Sequence, residues 1–189
     1  KHYHVMHSVV DDYIPFNEYF VIPYFLWFGF VALGVAYFFF KDVKDYYRLI
    51  AFLYSGMTIF LIWSYVYPNR LFLRPMAFTR DNIFIRMVQH LYAIDTPTNV
   101  FPSIHVFNSL GIAITVLNSN RLRNFRAVRI GSVVLATLIV LSTMFLKQHS
   151  LIDVTGGCVM AAALYWLIYQ CGYQRIAELF RRPANRRIA

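Results

Sequence analysis

Ser142-Thr-Met-Phe-Leu-Lys-Gln-His149-Ser-Leu-Ile-Asp153 closes one apolar run and opens the next. Its histidine and aspartate stand four residues apart, so a helix places them on one face. An aspartate that accepts a hydrogen bond from one imidazole nitrogen fixes the tautomer and turns the other nitrogen outward. A nucleophilic or basic histidine is built in this way. A carboxylate two residues into a membrane-length run is costly, so Asp153 is expected to face a polar cavity or a partner. Taken alone, the pair reads equally well as two groups satisfying each other inside a helix bundle.

The surroundings are those of a bilayer protein. Of the 189 residues 59% are hydrophobic, 19% aromatic and only 14% charged, where a soluble domain carries about 25% charge. One domain over residues 1–189 is expected, an all-α polytopic bundle of about five transmembrane helices. The spans fall at 19–40, 49–67, 102–119, 128–146 and 151–169, close to the ~20 residues a bilayer requires. Residues 41–48 form a polar turn between the first two, and 11–18 an interfacial entry segment. Between the second and third spans, Ile83, Met87, Leu91 and Ile94 recur at helical spacing, with Arg86 and His90 on another face. That pattern is an amphipathic helix, lying on the membrane surface or packed on the core. Pro102 suits the start of the third span, and Gly157 with Ala161 offers a small packing face in the last. His2, His4 and His7 lack further ligand spacing and read as a tail rather than a metal site.

The formal net charge of +9 does not point to nucleic acid, because the cations sit between apolar runs, where the positive-inside rule explains them. Five spans put the termini on opposite sides. With a cytoplasmic C-terminal tail, the turns at 41–48 and 119–129 are also inside, and these three segments hold 12 of the 18 Lys and Arg. Lys1, Arg70, Arg74, Arg80, Arg86 and Lys147 then lie outside, where topology does not require cations. The same orientation gathers His105, His149, Asp153, Arg74 and Lys147 at one outer face. Two histidines with cations suit phosphoryl transfer: cations hold the equatorial oxygens, one imidazole attacks and the other protonates the leaving oxygen. Both histidines also lie near helix N-termini, which favour anions.

Arg74-Pro75, Pro102-Ser103-Ile104-His105 and Ser142 through His149 to Asp153 resemble, in order and helix placement, the three signature motifs of the type 2 phosphatidic acid phosphatase (PAP2) superfamily: K-x6-R-P, P-S-G-H and S-R-x5-H-x3-D. The resemblance covers about residues 70–155. It implies a mechanism without metal or cofactor, in which His149 forms a phosphohistidine, Asp153 orients it and His105 protonates the leaving alcohol. Arg74 and Ser103 would bind phosphoryl oxygens. This chain departs from the patterns at Tyr67 (for Lys), Ile104 (for Gly) and Thr143 (for Arg). Arg70 and Lys147 are the candidates to supply the missing charge. The departures move the chain toward the branch that resembles inositol phosphorylceramide and sphingomyelin synthases.

The expectation is therefore an integral membrane enzyme, in the plasma membrane, with an extracytoplasmic site and a cytoplasmic C-terminus. It would hydrolyse a lipid phosphate or pyrophosphate, its partners being that substrate and membrane lipids. The alternative is a phosphotransferase that passes a phospho-headgroup to an acceptor lipid. A transporter is disfavoured because its polar residues would lie near mid-span, whereas these cluster at one interface.

Overall fold

The computed structural model describes residues 3–171; the basic tail from Arg175 to Arg187, assigned above to the cytoplasmic side, lies outside them. His4–Val5 (β1) leads into the short helix Val9–Tyr13 (α1), and a 3-10 turn at Glu18–Phe20 runs into Val21–Lys41 (α2). Val43–Val66 (α3) is followed by Asn69–Arg70 (β2), which pairs in parallel with β1. Ile83–Ile94 (α4), Ile104–Asn118 (α5), Arg126–Phe145 (α6) and Leu151–Tyr165 (α7) complete the order, α7 continuing through a π-helical stretch at Trp166–Cys171.

Four stretches are long and apolar enough to cross a membrane: Glu18–Lys41, Val43–Val66, Arg126–Phe145 and Leu151–Cys171. Their outward faces carry Leu33, Leu61, Ile62 and Val159, each at least 60% exposed. Apolar side chains in that number on the outside belong in hydrocarbon, not water, and the chain is an all-α membrane protein. Helix α5, read as the third of five spans, is different. Its 15 residues reach about 22 Å, short of the ~30 Å hydrocarbon core. It packs against α2, α3, α6 and α7, burying Val106, Phe107, Ile112 and Val116. Its hydroxyls are satisfied locally: Ser109 Oγ donates to the His105 carbonyl at 2.6 Å and Thr115 Oγ1 to that of Gly111 at 2.8 Å.

Three local expectations are corrected. The polar turn at 41–48 shrinks to Asp42, whose carboxylate accepts from the Asp45 N–H at 3.0 Å. Buried Asp45 pairs with Arg48 one turn on at 3.3 Å. A capped start with an i,i+3 pair lets these charged residues join α3. Helix α4 forms where its periodicity lies, capped by Asn82 through the Ile85 N–H at 2.9 Å, but turned on its axis. Ile85, Val88 and Leu91 are buried, with Val88 and Leu91 in a cluster with Val21, Tyr24 and Leu146, while Ile83 and Ile94 are exposed. Thus α4 packs on the bundle. The N-terminal segment is not a loose tail either: His4 stacks on Tyr67 with ring centroids 3.9 Å apart, and His7 Nε2 lies 2.9 Å from Asp12 Oδ1. His2 lies outside the described residues.

The alternating chain direction brings the start of α2, the end of α3, the starts of α5 and α7 and the end of α6 to one end of the bundle. Backbone bonds join them: Asn17 N–H donates to the Phe145 carbonyl and Ser103 N–H to that of Asp153, both at 3.0 Å. At the other end Phe38, Leu49, Val116, Leu122 and Tyr169 pack together. In mid-bundle the Phe52 and Phe107 rings stack 4.6 Å apart, nearly parallel. That stack requires two glycines. A Cβ at Gly56 would lie 2.1 Å from the Phe107 ring, and one at Gly111 would lie 2.8 Å from that of Phe52. Both rings are fully buried and have nowhere to go. Gly56→Ala is therefore expected to destabilise the protein by about 1–3 kcal/mol through overpacking. Gly29→Ala, which meets nothing within 4 Å, should be neutral or stabilise by up to ~1 kcal/mol through helix propensity. Thermal unfolding in detergent micelles checks this, and equal losses at both sites would show that the contact is not tight.

Candidate active site

His105 occupies the first turn of α5, where Ser103 caps the helix by accepting from the Val106 N–H at 3.4 Å. Two aromatic rings of α2 hold the imidazole, Tyr24 at 4.7 Å and Trp27 at 4.4 Å between centroids. His149 comes from the turn between α6 and α7. The N–H groups of Gln148 and His149 both donate to the Thr143 carbonyl, at 2.9 and 3.0 Å. Lys147 has φ of 54°, the left-handed geometry that ends many helices. After this reversal the His149 ring lies 5.7 Å from that of His105, centroid to centroid. The two line one cavity of about 210 Å³ together with Phe60, Asp95, Thr98 and Gln148.

Asp153 is fully buried beneath them. Its Oδ2 accepts from the Ser150 N–H at 2.8 Å, forming a capping box at the start of α7, and lies 3.5 Å from His149 Nδ1. That separation exceeds the 2.7–3.2 Å of a hydrogen bond. The relation expected from the i,i+4 spacing is thus an electrostatic contact, because the cap claims the same oxygen. The Ser103 N–H bond to the Asp153 carbonyl locks the two histidine-bearing helix starts together. Gly157 permits this approach, since a Cβ there would come within 2.8 Å of the Ser103 carbonyl oxygen.

The cations do not enter the cavity. Arg74 donates to the carbonyls of Tyr92 at 3.1 Å and Asp95 at 2.7 Å, and to Gln148 Oε1. Its guanidinium lies 4.5 Å over the Tyr92 ring, and burial lowers its pKa. Arg70 places its guanidinium 4.0 Å over the Phe72 ring. Lys147 donates to the Asp11 carbonyl at 2.6 Å; burial lowers its pKa against the opposing pull of Asp11 and Asp12. The left-handed turn sends this side chain to α1 while its two successors face the cavity. Ser103 is fully buried and stands behind His105 as a cap. Among the described residues no group of three or more His, Cys, Asp or Glu is arranged to hold a metal ion.

Three residues that frame the site carry no sequence signal. Asn69 is fully buried; its Oδ1 accepts from the N–H groups of Val100 at 2.8 Å and Phe101 at 3.0 Å, fastening β2 to the strand of chain before His105. Buried Gln148 joins Arg74 to the cavity. Asp11 reaches across 139 residues: Oδ2 accepts from Ser150 Oγ at 2.6 Å and Oδ1 from the Leu151 N–H at 2.8 Å.

This geometry defines a helical membrane protein with two histidines facing one half-open cavity at an end of the bundle. The family model described as the PAP2 superfamily matches residues 68–177, more than half of the chain. The chain belongs to that superfamily, and membership brings phosphatase or phosphotransferase chemistry in general. The match is to the superfamily as a whole and does not single out the inositol phosphorylceramide and sphingomyelin synthase branch. No curated protein and no solved structure matches the chain.

Asp11 gives the site a stability test. Asp11→Ala would strip buried Ser150 and half-buried Leu151 of their acceptor and is expected to cost about 2–4 kcal/mol. Asp12→Ala removes an exposed pair with His7 and should cost no more than ~0.5 kcal/mol. Chemical or thermal denaturation of both variants in one detergent decides; similar values would mean that α1 does not brace the turn.

Proposed function

We propose that this protein hydrolyses a phosphate or pyrophosphate ester on a lipid, at the extracytoplasmic face, through a phosphohistidine. The observation that carries the reading is the pair of imidazoles 5.7 Å apart at one half-open cavity. That separation lets one phosphoryl group contact both rings at ~3 Å each. With Nδ1 turned to Asp153, Nε2 of His149 attacks phosphorus in line. The P–O bond to the lipid breaks, and His105 gives its proton to the departing oxygen. Water then attacks the phosphohistidine with His105 as base, which frees phosphate and returns both rings to their starting states. Asp153 stabilises the cationic ring that forms.

The orientation is supported by charge. The Lys41–Arg48 and 119–129 segments lie at the end of the bundle opposite the cavity, as the positive-inside rule requires of cytoplasmic turns. A lipid substrate is supported by an apolar groove of about 630 Å³ beside the site, lined by Ile59, Trp63, Phe101, Pro102, Leu151 and Val159. One observation favours the transferase as second reading. No lysine or arginine is among the described residues that line the cavity, and Asp95 is there instead. Such a lining suits a singly charged phosphodiester better than a doubly charged monoester.

The test is phosphate release from phosphatidic acid or a polyprenyl pyrophosphate in nanodiscs, with and without diacylglycerol or ceramide. Free phosphate is expected, persisting in EDTA. It should be abolished by His149→Ala and reduced about 10²–10⁴-fold by His105→Ala. Phosphorus that appears only in a new lipid would replace the hydrolase with the transferase, and rescue by added Mg²⁺ after chelation would sink the phosphohistidine route.

A further inference from the structure

Gln148 precedes the histidine that the proposed chemistry would phosphorylate, and its surroundings are unusual for a glutamine. The side chain is 2% exposed and lines the cavity with His105 and His149. Its contact with Arg74 fixes the amide's orientation. A guanidinium has only donors, so the atom against Arg74 Nη2 is Oε1, and the NH₂ group points elsewhere. That NH₂ is buried and has no protein partner. A buried donor without an acceptor is costly, and proteins keep one where something else completes it.

Arg74 shows why the donor is there. The Tyr92 and Asp95 carbonyls and Gln148 take up its terminal nitrogens, and it is not among the residues that line the cavity. Its charge reaches the cavity through the Gln148 amide. A cation on the amide oxygen polarises the N–H groups on the other side and strengthens them as donors. Lys147, the candidate to supply the charge missing at Thr143, turns instead to Asp11, and the cavity has an amide with an arginine behind it.

We infer that Gln148 binds a non-bridging phosphoryl oxygen of the substrate through Nε2, with Arg74 positioning and polarising the amide. The inference rests on the phosphoryl-transfer reading above and adds to it a ligand-contacting residue at a position the third motif leaves variable.

Orthovanadate, a stable mimic of a phosphoryl group, is the probe, titrated calorimetrically into the full-length protein in nanodiscs. Gln148→Leu keeps the bulk and removes the donor; it should weaken orthovanadate binding about 10–100-fold, the value of one charge-assisted hydrogen bond. Gln148→Glu keeps the Arg74 contact but presents only acceptors, and should weaken binding at least as much. The exposed Arg123→Met, at the far end of the bundle, should bind as the natural protein does. Thermal midpoints within about 2 °C of the natural protein identify the loss as one of contact, not of fold. Wild-type affinity in either Gln148 variant overturns the inference while the phosphoryl-transfer reading stands. Failure of the natural protein both to bind orthovanadate and to release phosphate overturns both.

Discussion

Asp153 has no access to solvent, and its environment must satisfy its charge entirely. It does so only in part: at the N-terminus of α7 the backbone N–H groups and the helix dipole favour an anion, but Oδ1 has no partner. One oxygen takes the Ser150 N–H; the same oxygen faces His149 at 3.5 Å. The fold at this end follows from that choice. Because the carboxylate caps the helix, it cannot move toward the histidine, so the turn must bring the histidine to it. The turn is set by the two bonds to the Thr143 carbonyl and by the left-handed backbone of Lys147. The Asp153 carbonyl in turn holds Ser103, and with it the first turn of α5 and His105.

A second buried carboxylate, Asp11, binds the same helix start through Ser150 Oγ and the Leu151 N–H. Two aspartates within one turn of a helix would repel each other in a low dielectric. Here the donors of Ser8, Ser150 and Leu151 stand around Asp11, and the Lys147 ammonium lies on its own carbonyl. Lys147 is thus the counter-charge of the brace rather than a ligand of the cavity. This explains how the turn carries a lysine while the cavity beside it has an amide instead of a cation.

The fold class was legible because a bilayer imposes length and polarity rules that hydrophobic runs cannot hide. The spacing of His149 and Asp153, with Arg74, Ser103 and His105 in order, was legible for a similar reason: local helical periodicity and short motifs. Long-range or conformational matters were not. Asp11 and Ser150 are 139 residues apart, and nothing in an isolated acidic pair announces that partner. The direction of the Lys147 side chain depends on a single φ of 54°, which apolar periodicity does not encode. The face that α4 buries was misjudged by about one residue, since Ile83, Met87, Leu91 and Ile94 and the observed Ile85, Val88 and Leu91 both fit a helical repeat. Only the packing of Val21, Tyr24 and Leu146 chooses between them. Residues 41–48 were read as a turn from their charge, yet one cap and one ion pair outweigh it.

Among the described residues, eleven buried side-chain polar atoms have no partner; five are on Ser64, Arg70, Asn108, Ser119 and Arg129, and the other six are near the cavity. Asn99 Oδ1, Gln148 Nε2 and His149 Nδ1 belong to residues that line the cavity, while Trp27 Nε1, Arg74 Nε and Asp153 Oδ1 belong to residues that touch those. Along the helices the threonines behave differently: Thr58, Thr115, Thr137 and Thr155 each return a hydroxyl to the preceding turn. Ser64 Oγ in α3 and Ser119 Oγ at the end of α5 are exceptions, buried without a partner where an unpaired group is costly. Local conflicts of this kind gather where a protein holds groups ready for something other than itself. Six of these unpartnered atoms surround the two facing imidazoles, at the place where the motifs also meet.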